Sequence, residues 1–124
     1  MQNQEVIIDL YKHPLNRRAI PNADISHSGV NMSCGDRVRI YVKLGKDKTA
    51  ADVSFEGEGC SITIATASLL TEQAKGKSLA EIGDWNSLTI FELLETELGP
   101  LRIKCGLLPL ETLQQGIKAA AAKV

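Results

Sequence analysis

Regular alternation of apolar and polar residues predicts a β-hairpin near the middle of the chain. In the segment 36–44, every second residue from position 38 onward is apolar: Val38, Ile40, Val42 and Leu44. Such a period of two is typical of a strand with one buried face. After a GKDKT turn, the segment 51–56 repeats the alternation, with Ala51, Val53 and Phe55 inward. The two segments therefore predict an antiparallel hairpin.

Apolar residues with a helical period predict helices on both sides of this hairpin. Residues 5–11 place Val6, Ile7 and Leu10 on one face of a short helix. A longer helix is predicted after "EGEGC" and ends at Gly76. Its apolar stripe consists of Ile62, Ala65, Leu69 and Leu70. "SLAE" at 78–81 has the form of a capping box, which predicts another short helix.

Two further helices are predicted toward the end of the chain. Residues 87–98 form the first, closed by Gly99-Pro100. The second begins near Pro109, and four of its residues face inward: Leu110, Leu113, Ile117 and Ala121. Gly116 is expected to weaken this helix by roughly 1 kcal/mol relative to alanine.

The order of these elements predicts the fold class. Residues 24–32 form a further strand with weak alternation, so the hairpin extends to a small antiparallel three-stranded sheet. The sheet lies between one helix and several later ones, which is the order of an α+β domain. The 124 residues contain no internal repeat and no sign of a second domain, so we expect a single domain over 1–124.

Composition excludes several classes of function. The chain is 44% hydrophobic and 23% charged, with a net charge of −1 and intermixed signs, as in ordinary globular proteins. It has no basic face for nucleic acid, and only 4% of its residues are aromatic. No apolar run is long enough to span a membrane, and the N-terminus lacks a signal-peptide pattern. We therefore expect a cytoplasmic protein with neither nucleic acid nor membrane as a partner.

Three cysteines, Cys34, Cys60 and Cys105, lie at predicted element boundaries rather than within apolar stripes. An odd number of scattered cysteines does not form a disulfide framework, and no CxxC pair indicates a zinc ribbon. Each cysteine alone is compatible with a buried free thiol. Cys60 opens a helix, where the helix dipole favours thiolate, and Arg102 and Lys104 precede Cys105.

Asp36 follows Cys34 with only Gly35 between them. A bend at Gly35 would let the thiolate and the carboxylate point into one pocket, although a turn residue is the simpler interpretation of Asp36. Three thiolates and one carboxylate make a complete shell for zinc, ferrous iron or a [2Fe–2S] cluster. His13 and His27 lie in polar surroundings, and no nucleophile motif accompanies either of them. The chain also has no glycine-rich phosphate-binding loop of either standard spacing.

Four segments, in this order, resemble a known family: YKHPLN, SCGD (33–36), GEGCSITIATASLL (57–70) and RIKC (102–105). They are similar to the iron–sulfur cluster assembly proteins IscU, SufU and the N-terminal domain of NifU. The resemblance spans nearly the whole chain. It implies an α+β fold of the SufE/NifU type and a site formed by Cys34, Asp36, Cys60 and Cys105. That site would receive sulfur from a cysteine desulfurase.

The chain also departs from each branch of this family. IscU-type proteins usually carry histidine at the position of Lys104, whereas SufU-type proteins carry lysine there. GPLRI (99–103) replaces the LPPVK segment that a dedicated chaperone binds in IscU. The segment between Cys60 and Cys105 is too short for the SufU insertion, and Asn16-Arg17-Arg18 replaces the family's Asn-x-Gly. The site is SufU-like and the length is IscU-like.

These features leave three hypotheses open. The first is a non-enzymatic scaffold that assembles a transient [2Fe–2S] cluster from iron and desulfurase-derived sulfur, then passes it to acceptor apo-proteins or cluster carriers. The second is a zinc-dependent sulfurtransferase in which Cys105 accepts persulfide sulfur. The third is a binding module whose cysteines are incidental. Either of the first two is expected to act as a monomer or weak homo-oligomer, with Zn²⁺ or Fe²⁺ able to occupy the same residues.

Overall fold

The sheet predicted from the alternating segments is present and has three antiparallel strands in the order β1-β2-β3. The computed structural model describes residues 2–33 and 35–122. Within them the strands are β1 (Ile25–Asn31), β2 (Asp36–Leu44) and β3 (Ala50–Glu58). The described helices are α1 (Gln2–Lys12), α2 (Ser61–Ala74), α3 (Leu79–Gly83), α4 (Ser87–Leu94) and α5 (Ile103–Ala122), with a 3-10 turn at Lys46–Lys48. The α+β prediction is confirmed.

One face of the sheet is covered by α2 and α5, and this packing forms the core. Ile40 pairs with Phe55 and Val42 pairs with Val53, and all four side chains are almost fully buried. Burying each such side chain contributes about 1.5–3 kcal/mol, so the inward positions of the hairpin are a main source of stability.

A β-bulge changes the inward positions at the start of β3. Lys43 pairs with Asp52 and Leu44 pairs with Ala50, so one extra residue is inserted at Ala51. A bulge reverses the alternation beyond it. Ala51, predicted to face inward, is therefore exposed, and Ala50 is buried in its place.

The first helix uses a narrower apolar face than its sequence predicts. Ile7 and Leu10 are buried, and α1 packs on α2. Val6 remains 43% exposed, because a helix that directs Ile7 and Leu10, three residues apart, toward α2 directs the adjacent Val6 away from it. The prediction for Val6 was wrong.

The ends of the last two long helices also differ from prediction. Helix α4 ends at Leu94 instead of residue 98, because Glu95 adopts a left-handed conformation (φ 58°). The amide of Thr96 then donates to the carbonyl oxygen of Phe91 over 3.1 Å, which closes the helix end.

Helix α5 begins at Ile103, six residues before the predicted start at Pro109. Pro109 lies inside the helix, where proline normally costs about 3 kcal/mol. Burial of Cys105 and Leu108 in the preceding turn offsets this cost. At the other end Ala121, predicted to face inward, is exposed.

Gly116 has a packing role that its helix propensity does not reveal. A Cβ atom at this position would lie 2.9 Å from the Cβ of His27 on β1. The glycine therefore allows α5 to approach the sheet closely, and the cost in propensity is offset by that contact.

Among the described residues, no helix has both the length and the apolar character needed to cross a bilayer.

Candidate metal centre

Three chain segments meet at one end of the sheet and bring predicted site residues together. Asp36 is the first residue of β2, Cys60 is the N-cap of α2, and Cys105 lies in the first turn of α5. The predicted ligand Cys34 lies outside the described residues.

The bend predicted at Gly35 is present. Gly35 has a φ of +73°, a conformation that residues with a Cβ rarely adopt, and its amide donates to the carbonyl oxygen of Asn31 over 2.8 Å. The bend connects the end of β1 to Asp36. The side-chain amide of Asn31, at the same turn, lies 3.9 Å from the Cys105 sulfur and donates to it.

The carboxylate of Asp36 is buried and anchored, unlike that of a simple turn residue. Only 2% of Asp36 is exposed. Its Oδ1 accepts a hydrogen bond from the Cys60 amide at 3.0 Å, and its Oδ2 accepts one from the Thr63 hydroxyl at 2.9 Å. Hydrogen bonds to an ionised acceptor are stronger than neutral ones, so they hold the carboxylate beside Cys60.

Gly59 makes room for this carboxylate. A Cβ atom at position 59 would lie 2.6 Å from Oδ1 of Asp36. Real side chains do not tolerate such a contact, so any other residue at 59 would displace either Asp36 or the start of α2. The glycine before Cys60 is thus part of the cradle for Asp36.

Cys60 occupies the helix start that the sequence predicted for it. Burial is the largest effect on its pKa and raises it, but interactions with the hydroxyl and backbone amide of Thr63, then with Cys105, outweigh burial. The repulsion from Asp36 also raises the pKa, and the net pKa of Cys60 is below that of an ordinary thiol. The thiolate, which binds metals, is therefore favoured.

Cys105 lies inside a helix and not in the loop after Gly99-Pro100, which corrects the sequence prediction. It is 7% exposed, whereas Arg102 and Lys104 beside it are exposed. Because Pro109 has no N–H, it cannot make the helical hydrogen bond to the Cys105 carbonyl oxygen four residues earlier. The Thr63 hydroxyl lies 3.4 Å from that oxygen, which is therefore a second acceptor within its reach.

Sequence reasoning missed two residues that make polar contacts with the described part of the centre, Thr63 and Asn31. Thr63 is fully buried in the first turn of α2. One signal was available for it: residues three apart on a helix are neighbours, so a threonine three positions after Cys60 points to the same helix end. Asn31 had no such local signal, because its neighbour Cys105 is 74 positions away.

The arrangement has the dimensions and the chemistry of a metal-binding group. One ligand atom from each of Asp36, Cys60 and Cys105 lies within 4.8 Å of the other two. Tetrahedral zinc bound at about 2.0–2.3 Å keeps its ligand atoms roughly 3.3–3.8 Å apart, so small side-chain movements would suffice to bind an ion. Two sulfurs and one carboxylate oxygen suit zinc, ferrous iron or an iron–sulfur cluster.

The histidines do not belong to this group. His13 is exposed after the end of α1, and His27 pairs with Ile40 in the middle of β1 and packs against Gly116. His13 is therefore a surface residue, and His27 is part of the contact between β1 and α5.

Comparison with known proteins relates the whole chain to one family. Residues 2–124 match the family described as "NifU-like N terminal domain". The zinc-dependent sulfurtransferase SufU of Bacillus subtilis (strain 168) is 36% identical, over 92% of this chain and 88% of that protein. The iron–sulfur cluster assembly scaffold protein IscU of Escherichia coli (strain K12) is also 36% identical, over 98% of this chain and 93% of that protein.

Solved structures agree with this relationship. A protein of Fervidobacterium islandicum AW-1, assigned as the iron–sulfur cluster assembly scaffold of the SUF system, is 30% identical. It superposes with a TM-score of 0.77 over 91% of this chain and 94% of that one. The N-terminal part of a NifU-like protein from Brucella abortus, 16% identical, shares the fold with a TM-score of 0.78 over 97% and 94% of the two chains. The chain thus belongs to the NifU-like N-terminal domain family.

Proposed function

We propose that this protein is an iron–sulfur cluster assembly scaffold. It takes sulfur from a cysteine desulfurase, combines it with iron into a transient [2Fe–2S] cluster, and passes the cluster to acceptor proteins. The observation that carries the proposal is the convergence of Asp36, Cys60 and Cys105, whose ligand atoms lie within 4.8 Å of one another. The similarity to IscU over 98% of the chain supports it.

The donor set suits a cargo that must be released. We propose that Cys34 joins Asp36, Cys60 and Cys105 as the fourth ligand. Soft thiolates bind iron–sulfur clusters well, whereas a hard carboxylate is a weaker partner. Asp36 therefore supplies the position from which the cluster can be exchanged most easily, and the thiolates retain the cluster until an acceptor arrives.

Reconstitution under anaerobic conditions tests the scaffold proposal. Purified protein is mixed with a cysteine desulfurase, cysteine, a thiol reductant and ferrous iron, and cluster formation is followed by visible absorption and circular dichroism. We expect a [2Fe–2S] spectrum that disappears from this protein as an added apo-ferredoxin acquires it. A variant with all three cysteines changed to serine serves as the control. If that variant keeps its partner binding and cellular function, the cysteines are incidental and the proposal is wrong.

A zinc-dependent sulfurtransferase is the second candidate, favoured by Lys104 in place of the usual IscU histidine and by the similarity to SufU. In this function the Cys105 thiolate attacks the terminal sulfur of the desulfurase persulfide. A new S–S bond forms at Cys105, the donor S–S bond breaks, and the donor cysteine leaves as a thiolate. Sulfur is transferred without a change in the overall oxidation level.

Cys105→Ser separates the two candidates. If sulfur transfer is the function, protein purified anaerobically contains one zinc ion per chain, and the Cys105→Ser variant loses its stimulation of desulfurase turnover because serine cannot carry persulfide. Alkylation with a gel-shift reagent would show persulfide on wild-type Cys105 only. Full stimulation by Cys105→Ser would contradict the transferase. Bound zinc alone does not decide, because vacant thiolate sites capture zinc readily.

A further inference from the structure

The hydroxyl of Thr63 occupies a junction between the three residues of the centre. Its Oγ1 lies 2.9 Å from Oδ2 of Asp36, 3.4 Å from the carbonyl oxygen of Cys105, and 3.5 Å from the sulfur of Cys60. Thr63 is fully buried, so water does not compete for these contacts.

This hydroxyl has one proton and more than one acceptor for it. In the structure the shortest of the three contacts is the one to Asp36, whose carboxylate is a stronger acceptor than the neutral carbonyl oxygen of Cys105. The Cys105 carbonyl oxygen offers an alternative, since Pro109 cannot supply the helical N–H. A small rotation of the hydroxyl therefore moves its hydrogen bond from Asp36 to Cys105 without leaving the proton unpaired.

We propose that Thr63 is a positioning residue that stabilises the Asp36 carboxylate when it is not coordinated to the cargo, and so speeds cargo release. While Asp36 is a ligand, the hydroxyl can donate to the Cys105 carbonyl oxygen. When Asp36 leaves the cargo, its buried carboxylate regains the Thr63 hydrogen bond seen here. This inference rests on the proposed role of Asp36 as a ligand, and it assigns to Thr63 the control of how easily that ligand departs.

The Thr63→Val variant tests the inference, because valine keeps the shape of threonine and removes the hydroxyl. A charge-assisted hydrogen bond lost from the released carboxylate is expected to slow zinc release by about tenfold or more. Zinc is the probe: the zinc-loaded protein is mixed with excess chromogenic chelator, and the release rate is read from absorbance. Thr63→Ser keeps the hydroxyl and should restore a rate close to that of the wild type. Thr63→Ala, which also lacks the hydroxyl, replaces Thr63→Val if valine impairs folding.

Thr66→Val is a matched control one turn further along α2. The Thr66 hydroxyl is equally buried but has no hydrogen-bond partner among the described residues. Its removal should leave zinc release unchanged. If Thr63→Val releases zinc at the wild-type rate or faster, Thr63 does not stabilise the released carboxylate and the inference is overturned.

Substitution of Asp36 distinguishes failure of the inference from failure of the proposed site. Cobalt(II) in place of zinc reports coordination through its visible absorption, and Asp36→Ala should change that spectrum if Asp36 is a ligand. In the Asp36→Ala background, Thr63→Val should have no further effect on metal release, whatever the background rate. An unchanged cobalt spectrum in Asp36→Ala would reject the ligand role. A changed spectrum with no rate effect of Thr63→Val would reject only the role of Thr63.

Discussion

Cys60→Ala is expected to abolish stable cluster assembly. The thiol lies at the N-terminus of α2, within 4.8 Å of the other described ligand atoms, and its pKa is lowered by Thr63 and Cys105 despite burial. Residues that hydrogen-bond to a metal ligand are typically worth 10–100-fold in metal affinity, so loss of a thiolate ligand itself should lower the cluster yield by more than about tenfold. The measurement is the absorbance of the [2Fe–2S] product after anaerobic reconstitution and gel filtration.

Ser61→Ala is the neighbouring control for this variant. Ser61 is the first residue of α2 and is partly buried, so the substitution disturbs the same helix end without removing sulfur. Ser61→Ala should assemble the cluster as the wild type does. Thermal unfolding followed by far-UV circular dichroism confirms that Cys60→Ala is folded. A folded Cys60→Ala protein with wild-type cluster yield would remove Cys60 from the site.

Asp36→Ala is expected to affect cluster release and not cluster assembly. The cluster still forms in this variant, but its transfer to an apo-ferredoxin slows by roughly tenfold, the equivalent of about 1.4 kcal/mol in the barrier. The carboxylate is a hard ligand among thiolates, and its bonds to Cys60 and Thr63 stabilise it when it is released. Without this exchangeable ligand, the acceptor protein no longer has a weakly bound ligand that it can displace from the cluster. The removal of one buried negative charge also reduces repulsion within the site. Transfer is followed by circular dichroism, which separates donor from acceptor clusters.

Two further variants control for the structural role of Asp36. Alanine leaves the Cys60 amide without this acceptor, at a cost of about 1–3 kcal/mol, so Tm is measured in parallel. Asp36→Asn keeps an acceptor oxygen for that amide and should show the same slow transfer with less loss of stability. Asp84→Ala, at the exposed C-cap of α3, should transfer the cluster normally. Wild-type transfer rates in both Asp36 variants would contradict a role for this carboxylate in release.

The elements that sequence reasoning placed well are those specified by local patterns. Strand β2 was predicted with its observed bounds, because an alternation of polar and apolar residues that continues to Leu44 has one interpretation as a half-buried strand. Ser78 caps α3 as predicted, since its side chain accepts from the Glu81 amide at 3.1 Å. Cys60 was placed correctly at a helix start for the same reason.

The errors arose where packing outweighs local preference. Pro109 normally begins a helix, and here it lies inside α5 because the turn before it is buried against the core. Ala51 was assigned to the wrong face, because a bulge depends on how two strands pair and not on either strand alone. Gly116 reads as a weak point of a helix until its contact with His27 is seen.

For this protein, the sequence by itself determined the α+β class, the family and the residue types available for the centre, because periodicity and motifs are properties of neighbouring residues. The tertiary structure alone decided that Asp36, Cys60 and Cys105 converge and that Thr63 contacts Asp36 and Cys105. These contacts connect positions 24 to 74 apart in the chain, as from Asp36 to Cys60 or from Asn31 to Cys105. Such contacts leave no periodic trace, because the free energy that forms them comes from core burial elsewhere in the fold.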